Sequence, residues 1–575
     1  MIPLRLGTCV ETRKPLFLDK DVDFNLHTLL LGQTGSGKTT AIHAILRALM
    51  KDPDDRAAIF VLDPMGGLSR DLLLFAASEF CPQHVRDRLL YIEPAREDFI
   101  CPFNPLLHTS ESNRYYQLLR AMDVVVRAWS AQDFSEQPRL FQWMYQAFLA
   151  AAMMGYPLAM CRYLLHPGTN EHAAMTQKLP AEIRSRWSGI LRAKGGEAVR
   201  ILESTRNRLD PFFESRCLRQ IFGHRKSHFD VERFVLDRRI VILNVAELGK
   251  IPGFVGNTIG GLALNEIIQV CTRIATTRGR HVVSPTYVLM DEFQRFLSPD
   301  VEAAIPTVRQ LGIRLIMACQ SFSQLEQNDL DLTHMVWQAQ LRLFFSNAGK
   351  DADIVAEELA RYTFDPYRVK DSVYQTKQLV SGFRKEILTT RSANSSQSEN
   401  WTDSEAIGFG ENKATSDPRD PEKRGTDSAA KSSQKSNTKA QGRNQTEGST
   451  ISEAEANVPI HERFKELSNR TFFSFEETVL EKGRDIRWQQ TGEAVVMRPN
   501  RSDLAKVLID YLPIEPTERR MAAVQKLLEK NFRDPCFITS EDARREEEEL
   551  RRQLLDRSAT RIDPEPREED SDPFH

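Results

Sequence analysis

Short apolar runs recur between the N-terminus and residue 350. Each run is long enough for a strand but too short for a typical helix, and longer segments with helical periodicity separate the runs. Continuous apolar strands of this kind lie in parallel sheets that helices cover on both faces. The pattern therefore predicts an α/β fold around a mostly parallel sheet. The runs occupy His27–Gly32, Ala57–Pro64, Arg88–Pro94, Arg238–Asn244, Thr286–Glu292, Arg314–Gln320 and Arg342–Asn347.

Residues 108–229 show helical periodicity without a convincing strand. The stretch is far longer than the single helix that usually connects two parallel strands. We therefore expect an all-helical domain inserted into the sheet domain, which would comprise residues 1–107 and 230–390.

The C-terminal part of the chain differs in composition. Residues 391–457 are rich in small and polar residues, and a segment with so few large apolar residues cannot bury enough surface to offset chain entropy. We expect this segment to be disordered. Order is expected to resume over residues 458–535, as a return to the sheet domain followed by a helix. Residues 536–575 are predicted to form a charged acidic tail, in which EEEELRRQLL is compatible with a continued helix and DPEPREEDSDPFH is expected to be unfolded.

The overall composition is that of a soluble protein with several domains. The chain has 575 residues, of which 41% are hydrophobic and 27% charged, and its formal net charge is −3. This charge excludes a histone-like polycation, so binding to nucleic acid must use a local basic surface. Between residues 184 and 229, 11 basic side chains outnumber four acidic ones. Such a patch can follow a phosphate backbone without reading its sequence, although most charge runs are simply solvated faces.

The eight cysteines are scattered, without a CxxC pair or a His/Cys cluster at zinc-ligand spacing. This distribution predicts a reducing compartment and no structural metal. The N-terminus lacks the basic and apolar regions of a signal peptide, and the long apolar run Ala147–Cys161 is too short to span a bilayer comfortably. We therefore expect a cytoplasmic protein.

The strongest chemical signal is the segment GQTGSGKT, which begins at Gly32 and fits the phosphate-loop pattern GxxxxGK[ST]. It follows an apolar run and precedes a helical segment, as the pattern requires. Glycines allow backbone N–H groups to curl around phosphates at a helix N-terminus, Lys38 reaches the β and γ phosphates, and Thr39 offers its hydroxyl to Mg²⁺. The residues expected to contact the nucleotide are Gly32, Gln33, Thr34, Gly35, Ser36, Gly37, Lys38, Thr39 and Thr40.

Two apolar runs end in an aspartate that can hold Mg²⁺ beside a phosphate loop. Asp291 is followed by Glu292, so this pair offers one carboxylate for the metal and an adjacent general base for water. Asp63 is followed by Pro64 and has no second carboxylate beside it. We assign Asp291 and Glu292 to hydrolysis and a structural or strand-end role to Asp63, with contact to the nucleotide or to a coupling loop as the alternative for Asp63.

Apolar strands intervene between the phosphate loop and the acidic pair, which favours a motor-type ATPase over a GTPase switch or a small-molecule kinase. The guanine-reading pattern NKxD is also missing, because Asn412 and Lys413 are followed by Ala414 and Thr415. We therefore expect ATP, with Mg²⁺, as the cofactor.

Three polar residues near the next strand are further candidates. Gln320 ends that strand, and a parallel sheet would bring it to the same edge as Asp291, where it can sense the γ-phosphate. Arg309 and Arg314 can reach the nucleotide of a neighbouring subunit and stabilise transition-state charge. Taken alone, a surface glutamine and a solvated arginine explain these residues at least as well.

Five segments, in order, resemble the conjugative coupling-protein ATPases of type IV secretion, the TraG/TraD-like members of the FtsK/HerA superfamily of DNA-pumping motors. The resemblance covers about residues 1–390 and extends to the region from 458 to about 499. The phosphate loop alone is unspecific, but the ordered set with a helical insertion is more specific. The segments are HTLLLGQTGSGKTT, IFVLDPMGGLSRDL with the following CPFNPL, RIVILNVAEL, VLMDEFQRF and RQLGIRLIMACQSFSQL.

The resemblance implies a P-loop fold of the RecA/ASCE type and a homo-hexameric ring, with ATP and Mg²⁺ at the subunit interfaces and DNA in the central channel. The family's glutamine matches Gln320, and its trans-acting arginine matches Arg309 best, with Arg314 as the fallback. The catalytic residues implied are Glu292, Lys38, Arg309 and Gln320, and the magnesium ligands are Thr39 and Asp291.

Two features depart from the family pattern. Coupling proteins usually carry transmembrane helices before the motor, whereas only 31 residues precede Gly32 and they resemble no membrane anchor. We therefore expect either an anchorless member recruited to the inner membrane by a channel partner or a cytosolic motor outside secretion. Met65 stands where many relatives place a lysine.

The expected function is an ATP-driven translocase that pumps DNA or DNA–protein complexes in conjugative transfer or type IV secretion. Its C-terminal tail would recruit a relaxase or an accessory DNA-processing protein. Two alternatives stay open: a cytosolic HerA-like motor that powers a nuclease or defence assembly, and a nucleotide-switched recruitment adaptor.

Overall fold

A computed structural model describes most of the chain as two compact units. One unit consists of residues 1–366 and 474–575, and the other of residues 367–473. The residues described are 4–25, 27–52, 57–107, 111–129, 138–193, 196–247, 251–283, 285–296, 308, 310–327, 330–331, 333–394, 448–499, 501, 504–510 and 513–556.

A large sheet organises the first unit. In chain order, the strands of the protein are β1 (Leu4–Cys9), β2 (Pro15–Leu18), β3 (Thr28–Leu31), β4 (Ala58–Asp63), β5 (Leu89–Ile92), β6 (Phe99–Ile100), β7 (Ile240–Asn244), β8 (Thr286–Met290), β9 (Ile313–Cys319), β10 (Glu326–Gln327), β11 (Leu330–Asp331), β12 (Leu341–Phe344), β13 (Val369–Asn394), β14 (Gly448–Phe472), β15 (Glu493–Met497), β16 (Ala505–Ile509) and β17 (Ile538–Thr539). In the described part of the chain, eleven of them form one sheet in the order β2-β1-β16-β15-β12-β3-β9-β8-β4-β7-β5.

The expected α/β fold with a mostly parallel sheet is confirmed. The seven apolar runs form β3, β4, β5, β7, β8, β9 and β12, and neighbouring strands from β12 to β5 are parallel. The apolar runs do not indicate β1, β2 or β16, which extend the other edge of the sheet with antiparallel pairing. Part of each of these strands is exposed, so none contains a continuous apolar run.

Helices cover both faces of the sheet. Successive residues of a strand point to opposite faces, and in β3 Leu29 and Leu31 join one hydrophobic cluster whereas Leu30 joins another. Within the described ranges, no helix combines the length and the apolar character that crossing a membrane requires. The helices are α1 (Lys38–Lys51), α2 (Gly67–Ala77), α3 (Gln83–Arg88), α4 (Glu111–Trp129), α5 (Pro138–Met153), α6 (Cys161–Leu165), α7 (Asn170–Lys178), α8 (Ala181–Arg192), α9 (Glu197–Glu214), α10 (Arg216–Ile221), α11 (Val231–Leu236), α12 (Gly253–Thr277), α13 (Arg280–Val283), α14 (Thr333–Val336), α15 (Gly349–Thr363), α16 (Phe475–Arg487), α17 (Glu518–Asn531) and α18 (Ser540–Leu555).

The helical region between β6 and β7 shares its core with the sheet. It comprises α4 to α11, and its buried tryptophans Trp143 and Trp187 pack edge to face with ring centroids 5.3 Å apart. Both rings belong to the same hydrophobic cluster as Leu29 and Leu31. The segment 108–229 is therefore part of the same compact unit as the sheet, and its packing is continuous with one sheet face.

The second unit contains a long antiparallel hairpin of β13 and β14. Val369 pairs with Phe472 near the base, and Asn394 pairs with Gly448 at the far end. The segment expected to be disordered, 391–457, therefore has paired strand residues at both ends, while residues 395–447 lie outside the described ranges. Strand pairing satisfies backbone N–H and C=O groups without large buried side chains, and the composition did not reveal this possibility.

The segment 536–575, expected as a charged tail, contains a packed helix. In α18, Ala543, Leu550 and Leu554 are buried at helical spacing, and the helix packs against α7 and α10. Its start is fixed by β17, which pairs with β6. Residues 557–575 lie outside the described ranges. A narrow apolar stripe is sufficient to hold this helix, which includes the segment EEEELRRQLL.

We predict that Leu554→Ala loosens α18 selectively. Leu554 is fully buried, and truncating a buried leucine costs roughly 2 kcal/mol or more. Amide hydrogen exchange in α18 should accelerate roughly 30-fold, with β3 unchanged. Arg545→Ala, an exposed change on the same helix, is the control. Unchanged exchange in α18 of the Leu554 variant would contradict the packing described.

Candidate active site

The phosphate loop lies between β3 and α1 and is braced by a distant glycine. Gly37 has a φ of 106°, and a Cβ atom there would lie 2.7 Å from the Cα of Gly492. The Gly492 N–H donates to the Ser36 carbonyl at 2.9 Å. Position 37 therefore needs glycine both for its left-handed backbone and for this close approach. The sequence motif indicates the first requirement, but nothing in it points to Gly492.

Lys38 is the first residue of α1 and is buried. Its Nζ donates to the carbonyls of Gly32 and Gln33, the latter at 3.2 Å. Burial lowers the pKa of the Lys38 ammonium, and the nearby Glu292 and Asp291 carboxylates oppose that shift. The lysine thus folds back over the loop, whose backbone N–H groups at the helix N-terminus suit an anion. Thr39 is exposed at the same helix end.

The acidic pair follows β8, at the carboxyl edge of the sheet. The Asp291 N–H donates to the Leu62 carbonyl at the end of β4. Burial, together with the Asp63 and Glu292 carboxylates, raises the pKa of Asp291 to about 6, although Lys38 opposes the shift. An excess of carboxylates over cations in a half-buried site is an environment that favours a bound cation.

Glu292 is buried and adopts a left-handed backbone conformation with a φ of 51°. For a residue other than glycine this conformation costs on the order of 1 kcal/mol and persists only when neighbours hold it. Two amides do so here: Gln320 Nε2 donates to Oε1 at 2.5 Å, and Gln294 Nε2 donates to Oε2 at 2.7 Å. Both oxygens of the carboxylate are therefore fixed.

Gln320 connects the acidic pair to the phosphate loop. Its Oε1 accepts a hydrogen bond of 2.7 Å from the Thr34 hydroxyl, while its Nε2 donates to Glu292. The structure thus brings together Thr34, Lys38, Asp291, Glu292 and Gln320, from three strands that end at one edge. No sequence motif indicates Gln294, because its contact with the Glu292 carboxylate depends on the left-handed turn at Glu292.

The structure describes one of the two arginine candidates. Arg309 lies outside the described residues. Arg314 donates to the Tyr287 hydroxyl at 2.7 Å and to Asn25 Oδ1 at 3.3 Å. It stands near the start of β9, at the edge of the sheet opposite the phosphate loop. The contacts of Arg314 are therefore structural and give the fallback assignment no support.

Asp63 holds the turn between β4 and α2. Its carboxylate accepts hydrogen bonds from the backbone N–H groups of Met65, Gly66 and Ser69, at 2.9, 2.8 and 2.7 Å. These bonds satisfy the start of α2. Met65, the second residue after Asp63, is 60% exposed. The structural role expected for Asp63 agrees with this geometry.

The basic stretch 184–229 is partly covered by α18. His224 Nδ1 lies 2.6 Å from Glu546, Arg219 lies 3.5 Å from Glu547, and Arg225 donates to Gln553 at 3.1 Å. Arg186, Arg192 and Arg200 are exposed. The basic surface available to a ligand is therefore smaller than the charge count indicates, and these three exposed arginines of it lie on α8 and the start of α9.

Two family models match the chain. Residues 4–135 match the central domain of the helicase HerA, and residues 285–407 match the TraM recognition site of TraD and TraG. No curated protein sequence gives a match.

Several solved structures are similar at low identity. The unbound conjugative coupling protein TrwB is 13% identical with a TM-score of 0.44, covering 89% of this chain and 90% of its own. TrwB with ADP and Mg²⁺ has the same identity and TM-score, with 89% and 91% covered. VirB4 of Thermoanaerobacter pseudethanolicus is 13% identical with a TM-score of 0.37, covering 61% of this chain and 86% of its own.

The two family matches account for both halves of the site. The HerA match contains the phosphate loop with Lys38, and the TraD and TraG match contains Asp291, Glu292 and Gln320. The chain thus contains a region similar to the HerA central domain and a region similar to the TraM recognition site of TraD and TraG, and strands of both regions lie in one α/β sheet.

Proposed function

We propose that this protein hydrolyses ATP with Mg²⁺ and uses the energy to move DNA in conjugative transfer or type IV secretion. The observation that carries the hydrolytic part is the hydrogen-bonded chain from Thr34 through Gln320 to Glu292. It connects the loop that would hold the phosphates to the carboxylate that would activate water.

In the proposed reaction, the phosphate loop binds the phosphates of ATP, and the acidic pair serves Mg²⁺ and the attacking water. Lys38 exchanges the carbonyls of Gly32 and Gln33 for β and γ phosphate oxygens when ATP enters. Thr39 and Asp291 are the residues that would hold Mg²⁺, since a hydroxyl and a carboxylate match its preference for oxygen ligands. When bound, Mg²⁺ neutralises phosphate charge, which is its contribution to the chemistry.

Glu292 acts as the general base that orients and deprotonates the attacking water. An ionised carboxylate has about four lone-pair positions, so the amide donors leave each oxygen able to accept another hydrogen bond. Gln320 responds to nucleotide because a γ-phosphate beside Thr34 competes for the same hydroxyl. Loss or retention of that bond then reports the nucleotide state to Glu292.

The proposed partners are further copies of the chain, DNA, a relaxase or accessory protein, and a membrane channel. A homo-hexamer would place Arg309 of one subunit at the nucleotide of the next, and the exposed arginines Arg186, Arg192 and Arg200 would follow DNA backbone. Recruitment of a relaxase or accessory protein would use the chain beyond α18, and a channel partner would bring the motor to the inner membrane. The second candidate is a cytosolic HerA-like motor that powers a nuclease or defence assembly, and the similarity of residues 4–135 to the central domain of the helicase HerA is compatible with it.

We predict that Glu292→Gln lowers the ATPase rate by roughly 10²–10⁴-fold, because the general base is lost. Affinity for a fluorescent ATP analogue should stay near that of the unmodified protein. Lys38→Ala should abolish both hydrolysis and tight nucleotide binding. Lys51→Ala, at the exposed end of the same helix, is the control. An active Glu292→Gln protein would refute the role of this residue.

We predict that replacing Arg186, Arg192 and Arg200 with alanine weakens DNA binding without altering the basal ATPase rate. If all three contact phosphates of duplex DNA, the slope of log affinity against log salt falls by up to about 0.9 per arginine. The matched control replaces the exposed residues Arg361, Arg519 and Arg545 and changes net charge equally. Equal losses in both triple variants would argue against a DNA surface on α8 and α9.

A further inference from the structure

The side chain of Gln294 folds back onto the carboxylate of Glu292, two residues earlier in the chain. After β8 the backbone turns through the left-handed conformation of Glu292 and then forms a single 3₁₀ turn, Phe293–Arg295. Gln294 Nε2 donates to Glu292 Oε2 at 2.7 Å and to Gln324 Oε1 at 2.9 Å. Both hydrogens of the amide nitrogen are therefore in use.

The two amides that donate to Glu292 constrain its carboxylate in different ways. Gln320 bonds Oε1 and so connects Glu292 to the phosphate loop. One bond to one oxygen leaves the carboxylate free to swing about its last torsion, which is broad. Gln294 bonds the other oxygen, and two donors on two oxygens fix the plane of the carboxylate. A general base needs a fixed direction toward the water it deprotonates.

The nitrogen and the oxygen of the Gln294 amide differ in their hydrogen bonding. Its Oε1 is buried and accepts no hydrogen bond from the described residues. Burying an unpaired acceptor opposes folding, so the favourable polar contacts of Gln294 are the two that its nitrogen donates. Gln294 therefore contributes to the site through the two hydrogen bonds that its nitrogen donates.

Gln320, which bonds Glu292, and Gln324, which bonds Gln294, both lie in one short segment after β9. Gln320 directly follows the strand, and Gln324 ends the 3₁₀ turn Phe322–Gln324. The backbone N–H of the buried Phe322 donates to Asp351 at 3.2 Å, which ties this segment to α15. A shift of the segment would move both hydrogen bonds on Glu292 together.

From this geometry we infer that Gln294 is a positioning residue for hydrolysis: it fixes the plane of the Glu292 carboxylate and ties it, through Gln324, to the segment after β9. The inference rests on the proposed function, in which Glu292 is the base. Gln294 acts through Glu292 and does not touch the nucleotide.

The test compares Gln294→Met, Gln294→His and Gln324→Met in the full-length chain. Methionine conserves length and volume, which a packing role tolerates best, but donates nothing. We expect Gln294→Met to lower kcat roughly ten- to hundredfold, the range for losing a hydrogen bond to a charged group. KM for ATP and analogue affinity should stay within about twofold, since positioning affects the chemical step. Gln83→Met, an exposed change, is the control.

Two further variants separate positioning from packing. Gln294→His retains an N–H donor, and we expect it to recover part of the lost kcat. Gln324→Met should lower kcat less than Gln294→Met, and the double variant should lose no more than Gln294→Met alone, because Gln324 acts through Gln294.

The inference is overturned if Gln294→Met keeps wild-type kcat, if KM rises in proportion to the loss of kcat/KM, or if the losses at 294 and 324 simply add. A wild-type protein without ATPase activity, or a fully active Glu292→Gln variant, would instead overturn the proposed function and this inference with it. The two failures are distinguished by measuring wild type and Glu292→Gln in the same series.

Discussion

The site depends on parallel strands that end at the same edge of one sheet. β3 delivers the phosphate loop, β8 delivers Asp291 and Glu292, and β9 delivers Gln320. These strands are neighbours in the order β3-β9-β8, so residues far apart in the chain meet without any long side chain reaching across. The hydrogen bonds from Thr34 to Gln320 and from Gln320 to Glu292 are the direct result. Any change that shifts β9 against its neighbours would break this connection.

Charge is distributed unevenly around that edge. Lys38 is the cation within reach of Asp291, while Asp63 and Glu292 add negative charge beside it. The carboxylate of Asp63 is already committed to backbone N–H groups, and that of Glu292 to two amides. Asp291 therefore remains as the carboxylate suited to a metal. Under the proposed function, Asp63 serves the turn, Asp291 the cation and Glu292 the water molecule.

The parts of the fold that sequence reasoning predicted share one property: their signal is local. β4 and β8 are buried on both faces and appear as continuous apolar runs, and the phosphate loop has a fixed spacing. β16 exposes one face and carries no such run. Gly492 and Gln294 matter only through contacts that the folded chain creates, one across the phosphate loop and one through a left-handed turn.

The central claim is that the hydrolytic site is coupled to DNA in a ring of subunits. The most direct test is the steady-state ATPase rate of the purified chain without DNA, with single-stranded DNA and with double-stranded DNA, while light scattering gives the molar mass of the same samples. We predict that DNA stimulates the ATPase rate and that the particle has the mass of a hexamer. A rate indifferent to DNA from a monomer would contradict it and favour a nucleotide-switched adaptor.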